Sequence, residues 1–188
     1  MKACFKSICK FKNFALIGSS THILKSPLFK LSFFVDDVLA KIYVYKISVI
    51  LRLYLVYGPN QDSNRIIPIT ILNSIKNNKF DCSEGYQLRD FLYIDDLIDA
   101  IIKSLKEKKT IGEIINIGSG KPISIKKLIL NICKLAKGGH PQFGKISLRK
   151  DEINKLYPNI TKSKNLLNWK PKTSLRKGLK KTIRYFKM

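Results

Sequence analysis

Apolar residues fall in short blocks along this chain, and the spacing inside each block predicts its element. Residues 2–12 alternate lysines with Ala, Phe, Ile and Cys at helical spacing, which predicts a short amphipathic helix. Phe14 to Ile17 is a compact apolar run that stops at Gly18. It is too short for a helix and predicts a buried strand. The stretch FFVDDVLAKIYVYK (33–46) predicts a helix capped near Asp36, against its β-branched and aromatic content. Val49 to Tyr57 predicts one strand, closed by the turn Gly58-Pro59-Asn60. Between Arg65 and Asn77 the residues Ile66, Ile67, Ile69, Leu72 and Ile75 form a helical stripe, and Lys79 to Gln87 predicts a loop or short strand.

The second half is more strongly marked. Tyr93 to Lys106 predicts a helix with Asp95 and Asp96 at its start and Lys103 and Lys106 near its end, the order that suits the helix dipole. Ile111 to Ile117 predicts a strand ending in Gly118-Ser119-Gly120. Ser124 is placed to cap a helix over 125–137, with Gly138 and Gly139 to end it. Thr161 to Leu167 predicts a short helix, Pro171 breaks the chain, and Leu175 to Phe186 predicts a last basic helix. Alternating strands and helices make a parallel α/β sheet the natural class, although the front part holds too few strands to complete one.

Composition narrows the function classes. The 188 residues are 45% hydrophobic, which fits a globular chain. The formal net charge is +23, and arginine stands only at 52, 65, 89, 149, 176 and 184. Readers of base edges rely on arginine's planar fork, so scattered lysine points to a general residue bias and to non-specific, salt-sensitive contact with nucleic acids and other polyanions. Cys4, Cys9, Cys82 and Cys133 form no C-x-x-C pair, and His22 and His140 stand apart, so no metal site is expected. Free thiols suit a reducing, cytoplasmic compartment. No apolar run reaches the ~18 residues of a membrane span. Lys6, Lys10 and Lys12 interrupt the N-terminal apolar patch, a poor fit to a signal peptide.

Two stretches offer chemistry. In QLRDFLYIDDLIDAI (87–101), Arg89 precedes an aromatic triplet that leads into a helix, where a guanidinium can fork onto a phosphate. The plainer alternative pairs Arg89 with Asp90 or with a cap. In EIINIGSGKPISI (113–125), a strand opens into a glycine turn before a helix. Such a turn can bring backbone amides to an anion, or it can be a plain connection.

Together with LRLYLVYGPNQ (51–61), NRIIP (64–68), FGKISLRKDE (143–152) and LLNWKPKTSLRKGLKKTI (166–183), these stretches resemble, in order and spacing, the C-terminal part of the NAD-dependent epimerase/dehydratase family. These are extended short-chain dehydrogenases that remodel nucleotide-activated sugars. The resemblance implies a partial Rossmann-like parallel sheet plus the small α/β substrate-binding lobe. It places a remnant of the NAD(P)-binding domain at 1–62 and the nucleotide-sugar lobe at 63–188, with 111–120 returning to the sheet. It implies a nucleotide-sugar ligand, UDP-, dTDP-, CDP- or GDP-linked, and NAD or NADP as cofactor. It gives Arg89 the pyrophosphate, Arg149 a second phosphate or ribose contact, and Asn64 and Arg65 the segment against the base. Asn60 and Gln61 fall on the substrate loop, Asn116 near the nucleotide, and Trp169 in the core.

The same resemblance exposes departures. The family carries a catalytic S-P-Y-x-x-S-K between the first two strands, where the tyrosine is the acid/base and the lysine lowers its pKa. Here the stretch is SPLFKLS (26–32), with Leu28 in the tyrosine position and Ser32 in the lysine position. Ser20 or Thr21 could still be the hydroxyl partner, and neither Tyr43 nor Tyr45 has Y-x-x-x-K spacing to Lys41 or Lys46. Leu55 stands where many members place a substrate-binding Asn. The glycine-rich G-x-x-G-x-x-G turn is not in this sequence. This chain is therefore not expected to turn over substrate alone. Three readings stay open: the substrate half of such an enzyme, as a homodimer or with a partner chain supplying the rest; a nucleotide-sugar-binding module; or a polyanion-binding basic protein. A gene remnant with no activity is the plain alternative to all three.

Overall fold

This computed structural model describes residues 14–19 and 48–188. The helices expected over 2–12 and 33–46, Ser20 and the SPLFKLS segment lie outside the described residues. The chain forms two units that interleave in sequence. The first takes residues up to Tyr54, then Asp95–Gly118 and Pro158–Lys170; the second takes Leu55–Ile94, Ser119–Tyr157 and Pro171–Met188.

The first unit is a parallel sheet. Strand β1 (Phe14–Ser19) pairs with β2 (Ser48–Leu53). The expected strand over Val49–Tyr57 is in fact two. Strand β2 stays in the first unit, and β3 (Leu55–Tyr57) belongs to the second. The apolar run is continuous across Tyr54, so its pattern cannot show that its halves join different sheets. Val49, Leu51 and Leu53 are buried in alternation, as the period of 2 requires.

Helix α1 (Ile66–Ile75), β4 (Lys79–Asp81), β5 (Leu88–Arg89) and β6 (Phe91–Tyr93) follow in the second unit. Helix α2 (Ile94–Lys106) then leads back into the first, burying Asp96, Leu97, Ala100 and Ser104 at helical spacing. Strand β7 (Ile114–Ile117) completes the first sheet, in the order β1-β2-β7 with all pairs parallel. Ile115 and Ile117 are fully buried on it.

Strand β8 (Ile123–Ser124), helix α3 (Ile125–Ala136), β9 (His140–Gln142) and β10 (Lys155–Leu156) return to the second unit. Helix α4 (Thr161–Leu167) packs on β7 in the first unit, where Glu113 pairs with Lys162 and Trp169 is buried to 1% exposure. The last helix, α5 (Leu175–Lys187), closes the second. The core of that unit joins Tyr57, Phe91 and Tyr93 to Ile67, Ile71, Leu128, Ile132, Leu179 and Ile183. Gly178 lets α5 sit directly on the tyrosines, since a Cβ there would overlap the Tyr57 hydroxyl.

Helix ends follow the caps with one difference. The hydroxyls of Ser124 and Ser174 accept from the amides of Lys127 and Lys177. At the end of α3, however, Lys137 rather than a glycine takes the left-handed cap, at φ 64°. Gly138 and Gly139 serve close packing instead. A Cβ on Gly138 would meet the Ser74 carbonyl at 2.6 Å, and one on Gly139 the Ser74 Oγ at 2.8 Å. The glycines and the helix were legible in the sequence, but their close packing against each other was not.

The turn after β7 is held by a buried carboxylate. Asp90 is fully buried, and it accepts from the Ser119 amide at 2.6 Å, the Ser119 hydroxyl at 3.0 Å and the Lys121 amide at 3.1 Å. Replacing Asp90 with Ala strands these donors and is expected to lower unfolding stability by about 2–4 kcal/mol. Urea denaturation checks this, and a loss within ~0.5 kcal/mol, the usual effect of an inconsequential surface change, would contradict it.

Cys82 is buried, and its thiol is pushed up to about 11, first by burial and then by the neighbouring Cys133 and Asp81. A raised folded pKa favours the neutral thiol. Its contribution is therefore complete below the ordinary value of 9.0 and is lost as pH rises towards about 11. The stability gap between wild type and Cys82→Ala should narrow across that window in pH-dependent urea melts. A constant gap would show that the thiol does not titrate with folding.

Candidate functional site

The site is built by three short strands. Strand β5 runs parallel to β10 and antiparallel to β8, and the Leu88 amide donates to the Asn154 carbonyl at 2.8 Å. This pairing brings residues about sixty positions apart together and sets Arg89 beside the segment that precedes β10. Arg89 is 9% exposed. Its Nη1 donates to the Leu88 carbonyl at 2.9 Å, and its Nη2 donates to Oε1 of Glu152 in a close ion pair. The nearer acid in sequence, Asp90, is not the partner: it lies between β5 and β6, and its carboxylate binds the 118–121 turn.

Arg149 joins the same carboxylate. Its Nε lies 4.0 Å from Oε2 of Glu152, and its side chain is 67% exposed. The Glu152 amide donates to the Arg149 carbonyl at 3.1 Å, closing a turn that holds the two residues side by side. One sheltered cation and one exposed cation thus flank a single carboxylate. Sequence reasoning found both arginines and missed Glu152, the acid three residues after Arg149 in SLRKDE.

The other candidates are placed elsewhere. Asn60, Gln61, Asn64 and Arg65 form the loop between β3 and α1. Asn60 adopts φ 57° and accepts from the Tyr185 hydroxyl at 3.4 Å. Gln61 donates through Nε2 to the Val56 carbonyl at 2.9 Å, while its Oε1 is buried with no protein partner. The Asn64 amide donates to the Asp62 carboxylate at 3.1 Å. Arg65 stands exposed as the extended residue before α1. Asn116 lies on β7 in the first unit, where Nδ2 donates to the Asn159 carbonyl at 3.4 Å. Ser20 lies outside the described residues. A separate groove of about 470 Å³ between α3 and α5 is lined by Asn131, Lys134, Leu135, Leu175, Arg176 and Leu179 and holds none of these candidates.

NAD(P), which the resemblance implies, needs a glycine turn with free amides. The turn at 118–120 does not fit it, because the Ser119 and Lys121 amides are already taken by Asp90. Among the described residues no group of His, Cys, Asp and Glu could hold a metal ion, and no helix is long and apolar enough to cross a membrane.

Comparison with known proteins agrees with this architecture. Residues 39–182 match the family model described as GDP-mannose 4,6 dehydratase. The chain is 35% identical over 151 residues to CDP-abequose synthase of Salmonella muenchen, covering 77% of this chain and 51% of that protein. It is 37% identical over 150 residues to UDP-glucuronate 4-epimerase of Thermodesulfobacterium geofontis, covering 78% and 45%. The solved UDP-glucuronic acid 4-epimerase of Bacillus cereus, in complex with UDP-glucuronic acid and NAD, superposes with a TM-score of 0.80 at 28% identity, covering 94% of this chain and 62% of that one. The chain spans about half the length of the curated relatives it matches. It belongs to the NAD-dependent epimerase/dehydratase group of extended short-chain dehydrogenases, within the family described as GDP-mannose 4,6 dehydratase.

Proposed function

We propose that this chain is a nucleotide-sugar-binding lobe that grips the diphosphate of a UDP-, dTDP-, CDP- or GDP-linked sugar through Arg89 and Arg149. The observation that carries this reading is the convergence of both guanidinium groups on one carboxylate at a single edge of the lobe. A cation pair that already binds an anion of its own chain is arranged to bind an anionic ligand. A diphosphate carries about two charges and offers oxygens in the geometry a guanidinium fork matches. Gln61, with its unpartnered Oε1, and Asn60 lie on the loop that would face the sugar; Asn64 and Arg65 would lie against the base. The bound UDP-glucuronic acid of the Bacillus cereus relative supports the ligand class.

The chemistry of the intact relatives is a separate matter. NAD(P), when bound, supplies the hydride acceptor and donor for such sugar remodelling. This chain has Leu28 and Ser32 where the family's tyrosine and lysine would stand, so it is proposed to bind without turning over by itself. Redox activity would need a cofactor cradle and an acid/base that these residues do not carry. A cytoplasmic setting suits Cys82 and Cys133, which are both unbridged.

A second reading rests on α5, which exposes Arg176, Lys177, Lys180, Lys181, Arg184 and Lys187. Such a face attracts polyanions without sequence preference. Binding that falls steeply with salt and ignores polymer identity would mark that behaviour.

The test is calorimetric titration of the 188-residue chain with UDP-glucuronic acid and a dTDP-sugar. Arg89→Ala together with Arg149→Ala is expected to weaken binding by roughly a hundredfold or more, the scale of losing charge-assisted contacts to a phosphate. Undiminished affinity in the double variant would end the proposal.

A further inference from the structure

Glu152 occupies the position between the arginines that an incoming anion would take. Oε1 accepts from Arg89, and Oε2 lies 4.0 Å from Arg149. Its side chain is 21% exposed, against 67% for Arg149. The backbone fixes it there. Its own amide closes the turn onto the Arg149 carbonyl, and two residues later Asn154 accepts from Leu88 where β10 meets β5. The carboxylate is therefore tied to the same frame as Arg89. In a chain with 13 acidic residues against 36 basic ones, this acid is not a product of general composition.

On the reading of Arg89 and Arg149 as the diphosphate site, we infer that Glu152 is a resident counter-ion that sets the anion selectivity of the site. One carboxylate neutralises one of the two guanidinium charges, so the empty site attracts anions weakly. A single phosphate meets the repulsion of Glu152 in full and brings fewer oxygens to offset it. A diphosphate spans the pair. It can use the exposed side of Arg149 together with the Arg89 donors that Leu88 and Glu152 leave free, since a guanidinium carries five N–H groups. Repulsion from Glu152 thus falls most heavily on small anions that the cell holds in excess, and the ligand with two linked phosphates overcomes it.

The experiment compares wild type, Glu152→Gln and the Arg89→Ala/Arg149→Ala double variant by calorimetry at fixed ionic strength. The probes are inorganic phosphate, inorganic pyrophosphate and UDP. Glutamine keeps the length and one acceptor oxygen but removes the charge. Glu152→Gln is expected to bind inorganic phosphate about tenfold more tightly than wild type, the order of effect from deleting one like charge a few ångströms away. The preference for pyrophosphate over phosphate should shrink accordingly. Equal or weaker phosphate binding in Glu152→Gln overturns the inference, because the carboxylate would then be orienting Arg89 rather than opposing the ligand. Wild-type pyrophosphate binding that survives in the double variant overturns the site reading itself and is distinguishable from that result. Absence of binding to any probe in both wild type and Glu152→Gln overturns both. If a thermal melt shows that Glu152→Gln does not fold, Glu152→Asp is titrated instead. Its shorter arm draws the charge back from Arg89 without removing it, so a smaller tightening of phosphate binding in the same direction is expected, and unchanged or weaker binding overturns the inference in the same way.

Discussion

The buried carboxylate of Asp90 is the constraint on which the second unit depends. It is fully buried and binds the amide and hydroxyl of Ser119 and the amide of Lys121. That fixes the turn which leads into β8 and α3. Asp90 is committed to that turn, and Arg89, the last residue of β5, pairs with Glu152 instead. There the pairing of β5 with β10 delivers Glu152 and Arg149. Two adjacent residues of opposite charge thus do unrelated work. Asp90 supports the lobe, and Arg89 presents a cation at its edge.

This division also explains why a glycine turn that follows a strand is not an anion cradle here. The sequence Gly118-Ser119-Gly120 has the composition of a phosphate loop, but its anion is internal. A carboxylate carried by the chain satisfies the amides at no cost of association. A free ligand would have to displace it and leave a buried charge without partners. The proposed anion site is built instead from side chains, whose guanidinium groups carry more donors than Glu152 takes up.

Much of the fold was legible in the residues. The helix over the Ile66-to-Ile75 stripe, the charges at the two ends of α2 and the Ser124 cap read directly from spacing and chemistry, although Ile66 and Ile69 of that stripe are exposed and the buried Ile71 was not in it. What was not legible depends on distant pairing. The division of the Val49–Tyr57 run is set by which neighbours β2 and β3 find, and an unbroken apolar run carries no mark of that. Strands β5, β8 and β10 are two residues each, below the length at which alternation can be seen. Arg89 and Arg149 stood out because the stretches that carry them resemble the family's motifs. Glu152 did not, because its importance comes from a partner 63 positions earlier in sequence.

The most direct test of the lobe as a diphosphate binder is a nitrogen-15 titration that follows the arginine side-chain Nε–H signals while UDP-glucuronic acid is added. The few arginines of this chain make the signals separable, and they sit in different places. Arg89 and Arg149 flank Glu152, whereas Arg176 and Arg184 lie on the basic face of α5. If the lobe grips a diphosphate, the Arg89 and Arg149 signals shift together and saturate with one affinity, while those of Arg176 and Arg184 stay in place. Shifts led by Arg176 and Arg184, or spread evenly over all arginines, would contradict it and leave general charge attraction as the cause of binding.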